Sequence, residues 1–230
     1  MVAELPRSVA IILDGNSRWA AARGLPTAEG HRAGTRALRR TVEAAIELGI
    51  GSLTVYAFST ENWLRPEDEV EDLMEIFGET IERELPDLAA QGVRTRFIGR
   101  RDRAPDWLQQ AMAHLERETA DKERLDLWIA FDYGGRAEIV EAVRRLLANG
   151  ASAEGLDEEA FSRYLYAPEL PDPDLLIRTS GELRISNFLL WQLAYAELIF
   201  VDTLWPDFGE EHLREALDAY AGRRRRFGGR

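Results

Sequence analysis

The sequence predicts an α/β protein: a single domain over residues 1–230, with a roughly six-stranded, mainly parallel sheet flanked by helices. Three observations support this prediction. Short β-branched and apolar runs alternate along the chain with longer segments whose apolar residues recur at helical spacing. Strands that alternate with helices favour parallel pairing, with helices on the faces of the sheet. The 230 residues contain no repeat, low-complexity tract or linker that would divide them.

Six apolar runs are the predicted strands, and the amphipathic segments between them are the predicted helices. The strands cover about 9–13, 53–58, 93–98, 125–131, 175–177 and 199–201. Apolar residues at helical spacing predict helices over about 34–48, 70–88, 105–120, 139–147 and 157–164. Gly49 and Gly51 end the first of these helices. We also expect the apolar segment that ends at Glu197 to be helical.

The composition excludes several classes of protein. With 45% hydrophobic and 30% charged residues, the chain is expected to fold rather than to stay disordered. A formal net charge of −12 argues against nucleic-acid binding. The absence of cysteine excludes disulfides and thiolate metal sites. No apolar run is long enough to span a bilayer and no amino-terminal export signal is visible, so we expect a cytoplasmic protein.

The first segment with chemical character follows the first strand, at 14–20. Gly15 permits a sharp turn into a helix, whose free backbone N–H groups favour an anion. Asp14 at the strand end can hold Mg²⁺, and Arg18 and Arg23 can close on phosphate oxygens. Asp14 and Asn16 can equally be simple helix caps, and the spacing alone leaves both interpretations open.

Two further segments carry polar groups that suit a ligand site. His31, between glycines at a predicted helix start, can donate to a phosphate oxygen, although a lone histidine is more often a surface or core residue. The stretch 58–66 sets Ser59, Glu61 and Asn62 between aromatic residues on a loop, as in a pocket with one polar and one apolar wall. A helix N-terminus with aromatic packing is the alternative. No two histidines have metal-ligand spacing, so no zinc site is expected.

The most informative stretch covers 177–197, where an apolar strand, a basic turn and an apolar aromatic segment follow one another. Arg178, Arg184 and Ser186 form a group that can grip a diphosphate. Glu197 ends an apolar run that does not explain a carboxylate, and a cap or an ion pair is the alternative. The basic tail at 223–230 is either a solvated end or a segment that wraps a phosphate in a neighbouring subunit.

Taken together, these segments resemble the cis-prenyltransferases, or Z-isoprenyl diphosphate synthases. The matching motifs follow the order of that family along essentially the whole chain, and none of the matched positions departs from its pattern. The motifs are DGNSRWA at 14–20, GH at 30–31, YAFSTENWLRP at 56–66, YGGR at 133–136, IRTSGELRISNFLLWQLAYAE at 177–197, LWPDF at 204–208 and RRFGG at 225–229.

The resemblance implies both a fold and an activity. It implies a homodimer of single-domain subunits, each with a parallel sheet and an apolar tunnel. The implied reaction condenses isopentenyl diphosphate with an allylic diphosphate, geranyl or farnesyl diphosphate, and uses Mg²⁺. The product is a Z-polyprenyl diphosphate, for example undecaprenyl diphosphate or a shorter Z,E-farnesyl type, and transient membrane association is expected when it is released.

The resemblance also assigns roles to individual residues. Asp14 would carry Mg²⁺ and assist diphosphate departure, with Glu197 as a second residue at the metal. The catalytic set would be Asp14, Asn16 and Ser59, where Asn16, Ser59 or a diphosphate oxygen helps to remove the proton. Isopentenyl diphosphate would bind at Arg178, Arg184 and Ser186. The remaining substrate-binding residues would be Gly15, Asn16, Ser17, Arg18, Trp19, Arg23, His31, Ser59, Glu61, Asn62, Trp63 and Arg65.

Two other functions and one open property complete the expectations. A phosphatase of the haloacid-dehalogenase type would need a second aspartate where Ile12 stands. A non-catalytic partner subunit would be expected to lack Asp14 or the arginines, which are all present. We expect a bulky residue of the fourth strand, Phe131 or Trp128, to shorten the tunnel and favour a short or medium product, with ordinary core packing as the alternative.

Overall fold

The computed structural model describes residues 5–223, which form one six-stranded sheet and seven α-helices. The strands are β1 (Ser8–Ile12), β2 (Ser52–Ser59), β3 (Val93–Ile98), β4 (Leu125–Tyr133), β5 (Leu175–Arg178) and β6 (Glu197–Phe200). The helices are α1 (Asn16–Ala21), α2 (Thr27–Glu47), α3 (Glu67–Gln91), α4 (Asp106–Glu118), α5 (Gly135–Ala148), α6 (Glu158–Ser162) and α7 (Glu210–Ala221). Two 3₁₀ helices cover Thr60–Leu64 and Trp205–Asp207. Within the described residues, no helix has both the length and the apolarity that crossing a bilayer requires.

All neighbouring strands of the sheet are parallel, in the order β3-β4-β2-β1-β5-β6. The six predicted strands are therefore confirmed, close to their expected bounds. The chain builds one side of the sheet from β1 through β4 and then adds β5 and β6 on the other side of β1. The strand order thus reverses beside β1, where Ile12 lies level with Arg178. Ligands of open parallel sheets bind at such a reversal, outside the carboxyl ends of the strands.

Both faces of the sheet are covered, which explains why its strands are continuous apolar runs. All five residues of β1 are buried. On one face, apolar side chains of α2, α3, α4 and α7 pack against the sheet. The other face is covered mainly by irregular segments around 165–170 and 185–196. The helices are therefore distributed unevenly, and part of the second core depends on turns.

The helix expected from about residue 34 begins earlier, at Thr27. Gly30 and Gly34 lie inside α2, at the place where α1 crosses it. Glycine is present there because the two helices approach at very short range. A Cβ atom on Gly30 would lie 2.2 Å from the backbone oxygen of Asn16, and one on Gly34 would lie 2.4 Å from Asn16 Oδ1. These glycines mark a contact rather than a helix boundary. His31 consequently lies in the second turn of α2 and not at a helix start.

The apolar segment before β6 is not helical, so that prediction was wrong. Ser186, Asn187 and Leu189 have φ angles of 47°, 64° and 42°, a left-handed region that a right-handed helix excludes. The chain turns through 188–196, and Glu197 is the first residue of β6. Phe188 and Leu189 are fully buried against the sheet. Their apolar character reflects this burial and not a helical face.

Replacing Gly30 by alanine is expected to lower the free energy of unfolding by about 1–3 kcal/mol, because the added methyl group would push α1 away from α2. This loss should outweigh the preference of alanine for helices. Urea unfolding followed by circular dichroism measures it. Gly51→Ala is the matched control, since a Cβ there meets its nearest atom at 3.5 Å. Equal stability of the two variants would show that the close contact does not constrain the fold.

Candidate active site

One threonine ties together the loops that leave β1 and β5. The Thr179 hydroxyl accepts a hydrogen bond from Asp14 N at 2.9 Å and donates one to Asp14 O at 2.7 Å. Thr179 is fully buried, so water does not compete for these bonds. The tie holds Asp14 just beyond β1, beside the end of β5, where the order of the strands reverses.

Asp14 and Arg178 form the central ion pair of the site, beside the adjacent ends of β1 and β5. Arg178 Nη2 lies 2.8 Å from Asp14 Oδ2. Arg178 Nη1 donates to Ser186 Oγ at 2.7 Å and to Arg184 O at 2.5 Å. The Arg178 side chain is 5% exposed, and its Nε is buried without a hydrogen-bond partner among the described residues. A buried guanidinium with an unused donor is suited to bind an anionic oxygen.

Asp14 is held in its charged form. Partial burial raises the pKa of its carboxyl group, but hydrogen bonds from Arg178 and Ser180 and the charges of Arg178 and Arg18 outweigh this effect. The pKa of Asp14 therefore lies below its ordinary value. At neutral pH the carboxylate therefore carries its full negative charge.

The turn into α1 brings Arg18 to the same cluster. Gly15 precedes α1 with φ of 114°, and a Cβ there would lie 2.9 Å from Leu204 Cδ2, so the turn requires glycine. Arg18 Nη2 lies 3.3 Å from Asp14 Oδ1 and donates to Ser180 Oγ at 2.6 Å. Arg18, on α1, thus contacts one residue that follows β1 and one that follows β5.

Trp19 and Arg23 bind to a different carboxylate, that of Asp207. Trp19 Nε1 lies 2.7 Å from Asp207 Oδ1, and Arg23 Nη2 lies 3.2 Å from Asp207 Oδ2. The Arg23 guanidinium also stacks over the Trp19 ring at 4.1 Å. An anion that binds Arg23 would have to compete with Asp207.

His31 extends from α2 as a neutral side chain. Burial lowers the pKa of His31 to about 4, the charge of Arg65 adds to this effect, and Glu69 and Asp72 oppose it. His31 Nε2 is buried and has no hydrogen-bond partner in the described part of the chain. Glu69 lies 3.9 Å from this nitrogen but pairs with Arg65 at 2.6 Å. The free ring nitrogen is suited to a hydrogen bond with a phosphate group.

The 3₁₀ helix after β2 uses several predicted site residues for its own structure. Asn62 Oδ1 accepts from Ser59 N at 2.9 Å, and the Ser59 side chain caps the helix in return. The helix-terminus interpretation of this segment is therefore confirmed. Glu61 accepts from Asn187 Nδ2 at 3.0 Å, which links the 3₁₀ helix to the segment after Ser186.

Glu197 does not join this cluster. It begins β6 level with Leu175, the first residue of β5, whereas Asp14 follows the last residue of β1. The two carboxylates of one chain therefore lie toward opposite ends of the parallel strands. Within one chain, Glu197 pairs with Arg223 at 2.7 Å. The tail motif at 225–229 lies outside the described residues.

A largely apolar cavity of about 130 Å³ lies beside the cluster, between α2, α3 and one face of the sheet. Asn16 and His31 line it. Phe131 packs against Phe77 at 5.2 Å within the same core, whereas Trp128 lies in the core of the opposite face and cannot shorten this cavity. The apolar lining of the cavity includes Ala57, Leu73, Phe77, Ile81, Leu127 and Ile129.

Residues 12–228 match the prenyltransferase family model, described as undecaprenyl diphosphate synthase. The chain belongs to the cis-prenyltransferase family. An isoprenyl transferase of Fusobacterium nucleatum is 50% identical to it over 229 residues, covering 100% of this chain and 98% of that protein. A ditrans,polycis-undecaprenyl-diphosphate synthase of Xanthomonas oryzae, named as specific for (2E,6E)-farnesyl diphosphate, is 51% identical over 99% of this chain and 90% of its own length.

A solved structure agrees with this membership. Lavandulyl diphosphate synthase from Lavandula x intermedia, in complex with dimethylallyl diphosphate, superposes on the chain with a TM-score of 0.94. The two proteins are 38% identical, and the match covers 97% of this chain and 98% of the other. This cis-prenyltransferase is thus an enzyme of prenyl transfer, and the phosphatase alternative is discarded. Ile12, at the position where a phosphatase needs aspartate, is a buried residue of β1.

Four residues at the site of this cis-prenyltransferase were missed by the sequence analysis: Thr179, Ser180, Glu182 and Asp207. Each of them hydrogen-bonds to or pairs with another residue of the site, and such a contact leaves no periodic pattern in the sequence. Thr179, Ser180 and Glu182 stand between two predicted anion-binding arginines. Considering every polar residue in that interval would have found them. The only signal for Asp207 was its place in the LWPDF motif.

The depressed pKa of His31 predicts a loss of stability in acid. Between the ordinary pKa of 6.5 and about 4, the unfolded chain binds a proton that the folded chain does not. The contribution of His31 to the free energy of unfolding therefore falls as the pH drops through this window, by at most about 3 kcal/mol. Urea unfolding of wild type and His31→Gln, at about pH 7 and about pH 4.5, measures it. The wild type should lose more stability than the variant, and equal losses would contradict a neutral buried histidine.

Proposed function

We propose that the protein condenses isopentenyl diphosphate with an allylic diphosphate, such as geranyl or farnesyl diphosphate. The bond between C1 and oxygen of the allylic substrate breaks, and C1 bonds to the terminal alkene carbon of isopentenyl diphosphate. Diphosphate leaves as the C1–O bond breaks, and loss of a proton from C2 of the isopentenyl unit then leaves the Z double bond. The observation that supports this best is the pairing of Arg178 with Asp14 and Ser186 beside an apolar cavity. Such a site suits substrates that are charged at one end and apolar at the other.

The two substrates are bound by different groups of residues in this proposal. Arg18 and Arg23, in the group for the allylic substrate, would stabilise the negative charge that develops on the departing diphosphate. Isopentenyl diphosphate binds at Arg178, Arg184 and Ser186. The allylic diphosphate binds at Gly15, Asn16, Ser17, Arg18, Trp19, Arg23 and His31, and the substrates are bordered by Ser59, Glu61, Asn62, Trp63 and Arg65.

The residues present fit Mg²⁺ if the substrate supplies most of the oxygen ligands. Residues 5–223 contain no group of three or more metal-ligating side chains, but Asp14 offers a charged carboxylate at the strand end. Mg²⁺ in phosphate sites typically combines one or two carboxylates with phosphate oxygens and water. We therefore assign Asp14 as the metal ligand that the same chain supplies. The bound ion would neutralise charge on the leaving diphosphate.

Three groups can take part in removing the proton: Asn16, Ser59 and an oxygen of the departing diphosphate. The Ser59 oxygen already accepts a backbone hydrogen bond at the start of the 3₁₀ helix. Asn16 Oδ1 is buried without a hydrogen-bond partner among the described residues, but an amide oxygen is a very weak base. The diphosphate oxygen is the most basic of the three, so we assign it as the acceptor and give Asn16 and Ser59 an orienting role.

The apolar cavity serves as the tunnel for the growing chain in this proposal. Each buried CH₂ group contributes about 0.8 kcal/mol to binding. Apolar walls also keep water from the positive charge that develops on the allylic carbon. The reaction therefore requires an apolar wall next to the charged end of the site. Asn16 and His31, which belong to the proposed diphosphate site, also line the apolar cavity.

A second copy of the chain would cover the apolar surface of α5 and complete a homodimer. Val140, Val143 and Leu147 are 51%, 42% and 66% exposed and share one side of the helix. Among the described residues, β6 is an edge strand that pairs only with β5. Exposed apolar stripes and open strand edges are typical of interfaces. An interface here could bring Glu197 of one copy to the other copy's site, the arrangement its predicted metal role requires.

The setting of the enzyme follows from its charge and its product. A net charge of −12 disfavours contact with nucleic acid. We place the enzyme in the cytoplasm. Its product is an apolar chain with a charged head, so its release involves transient association with a membrane surface.

Purified protein with Mg²⁺, labelled isopentenyl diphosphate and farnesyl or geranyl diphosphate is expected to form a labelled Z-polyprenyl diphosphate. Asp14→Ala should lower turnover by about 100-fold or more while circular dichroism stays unchanged. Asp121→Ala is the control, because it removes a carboxylate that is 77% exposed and, among the described side chains, pairs only with Lys122. Product chromatography reads out both activity and length. A wild type without product contradicts the proposed reaction, and normal turnover of Asp14→Ala contradicts the role of Asp14.

Replacing Phe77 by alanine is expected to lengthen the product by one or more five-carbon units. Phe77 lines the cavity and packs against Phe58 and Phe131, so its removal extends the apolar space. Trp128→Phe is the matched control, because Trp128 lies on the opposite face of the sheet. Chromatography of the dephosphorylated products measures the length distribution. Identical lengths for wild type and Phe77→Ala would show that Phe77 does not limit the chain.

A further inference from the structure

One carboxylate contacts two arginines that the proposed function assigns to different substrates. Glu182 Oε1 lies 3.6 Å from Arg18 Nη1, and Glu182 Oε2 lies 2.5 Å from Arg184 Nη1. Arg18 belongs to the group for the allylic diphosphate, and Arg184 to the group for isopentenyl diphosphate. Each oxygen of the carboxylate thus faces the cation of a different substrate site.

The loop that carries Glu182 is anchored at its base and free at its tip. Ser180 N donates to Thr203 O, and Gly181 N donates to Val201 O, both at 2.8 Å. The Glu182 side chain is 34% exposed. Apart from the two arginines, it has no ion-pair or hydrogen-bond partner among residues 5–223. The carboxylate can therefore swing away from the arginines without a change in the anchored backbone.

We propose that Glu182 couples the two substrate sites. A diphosphate bound at Arg18 or at Arg184 places negative charge beside the carboxylate, and like charges at such short range repel. The first diphosphate to bind therefore displaces Glu182 from both arginines, and the second meets an arginine that is already free. Because the carboxylate is displaced once for two substrates, each substrate favours binding of the other. The inference rests on the proposed function, since it requires both diphosphate sites.

The exposure of the two ion pairs sets the size of this effect. The side chains of Arg18 and Arg184 are 49% and 60% exposed. Exposed pairs are weakened by solvent and salt, so displacing Glu182 should change an affinity by only about threefold to fivefold. The coupling is therefore modest at each site, and it should decrease as the salt concentration rises.

Isothermal titration calorimetry with isopentenyl diphosphate and the unreactive thio analogue of farnesyl diphosphate tests the coupling without turnover. Each affinity is measured alone and in the presence of the other ligand, with Mg²⁺, for wild type and Glu182→Gln. The variant should bind each single ligand about threefold to fivefold more tightly than wild type. The factor by which one ligand strengthens the other should be smaller in the variant by the same amount.

Two further variants make the experiment specific. Glu159, on α6, forms an exposed ion pair with Arg163. Glu159→Gln therefore removes the same charge elsewhere on the surface, and this variant should behave as wild type does. Glu182→Asp keeps the charge but shortens the reach, and it should fall between wild type and Glu182→Gln. Thermal melts of all variants report whether each one is folded.

Three outcomes would overturn the inference. The first is an equal coupling factor in wild type and Glu182→Gln. The second is weaker binding of single ligands by Glu182→Gln, which would make Glu182 a ligand rather than a competitor. The third is that wild type binds neither diphosphate. This result would also refute the proposed function, whereas the first two outcomes would leave that function standing.

Discussion

The ion pair between Asp14 and Arg178 is the contact on which the rest of the site depends. It joins the ends of β1 and β5 at the point where the order of the strands reverses. A guanidinium that is almost fully buried needs partners for its N–H groups, and here these partners are Asp14, Ser186 and the carbonyl of Arg184. The partners belong to two separate stretches of chain. Satisfying one buried cation therefore fixes where those stretches lie relative to each other.

Charges of alternating sign extend outward from this pair. Arg178 contacts Asp14, Asp14 contacts Arg18, and Arg18 contacts Glu182. Each member is stabilised by its neighbours, so an added anion changes several pairs at once. The site is therefore better described as one network than as a set of independent binding residues. This description also explains why Asp14 keeps its charge although it is partly buried.

The sequence predicted the features that have a local period or a local position. The six strands are apolar runs, and the sequence places Asp14 and Arg178 just after predicted strands, whose ends lie at one edge of a parallel sheet. Features set by contacts between distant segments were missed. Gly30 resembles a helix boundary until α1 is seen to cross it, and the position of Glu197 depends on the register between β5 and β6. Neither contact leaves a trace in the spacing of nearby residues.

The irregular segment before β6 contributes both to the hydrophobic core and to the charged site. Phe188 is fully buried and stacks on Tyr56 with ring centres 4.4 Å apart. Its neighbours Ser186 and Asn187 hydrogen-bond to Arg178 and Glu61. The residues that close one face of the hydrophobic core are therefore continuous with those that shape the charged crevice. A core substitution behind this segment is therefore expected to shift Ser186 and Asn187, and with them their hydrogen bonds to Arg178 and Glu61.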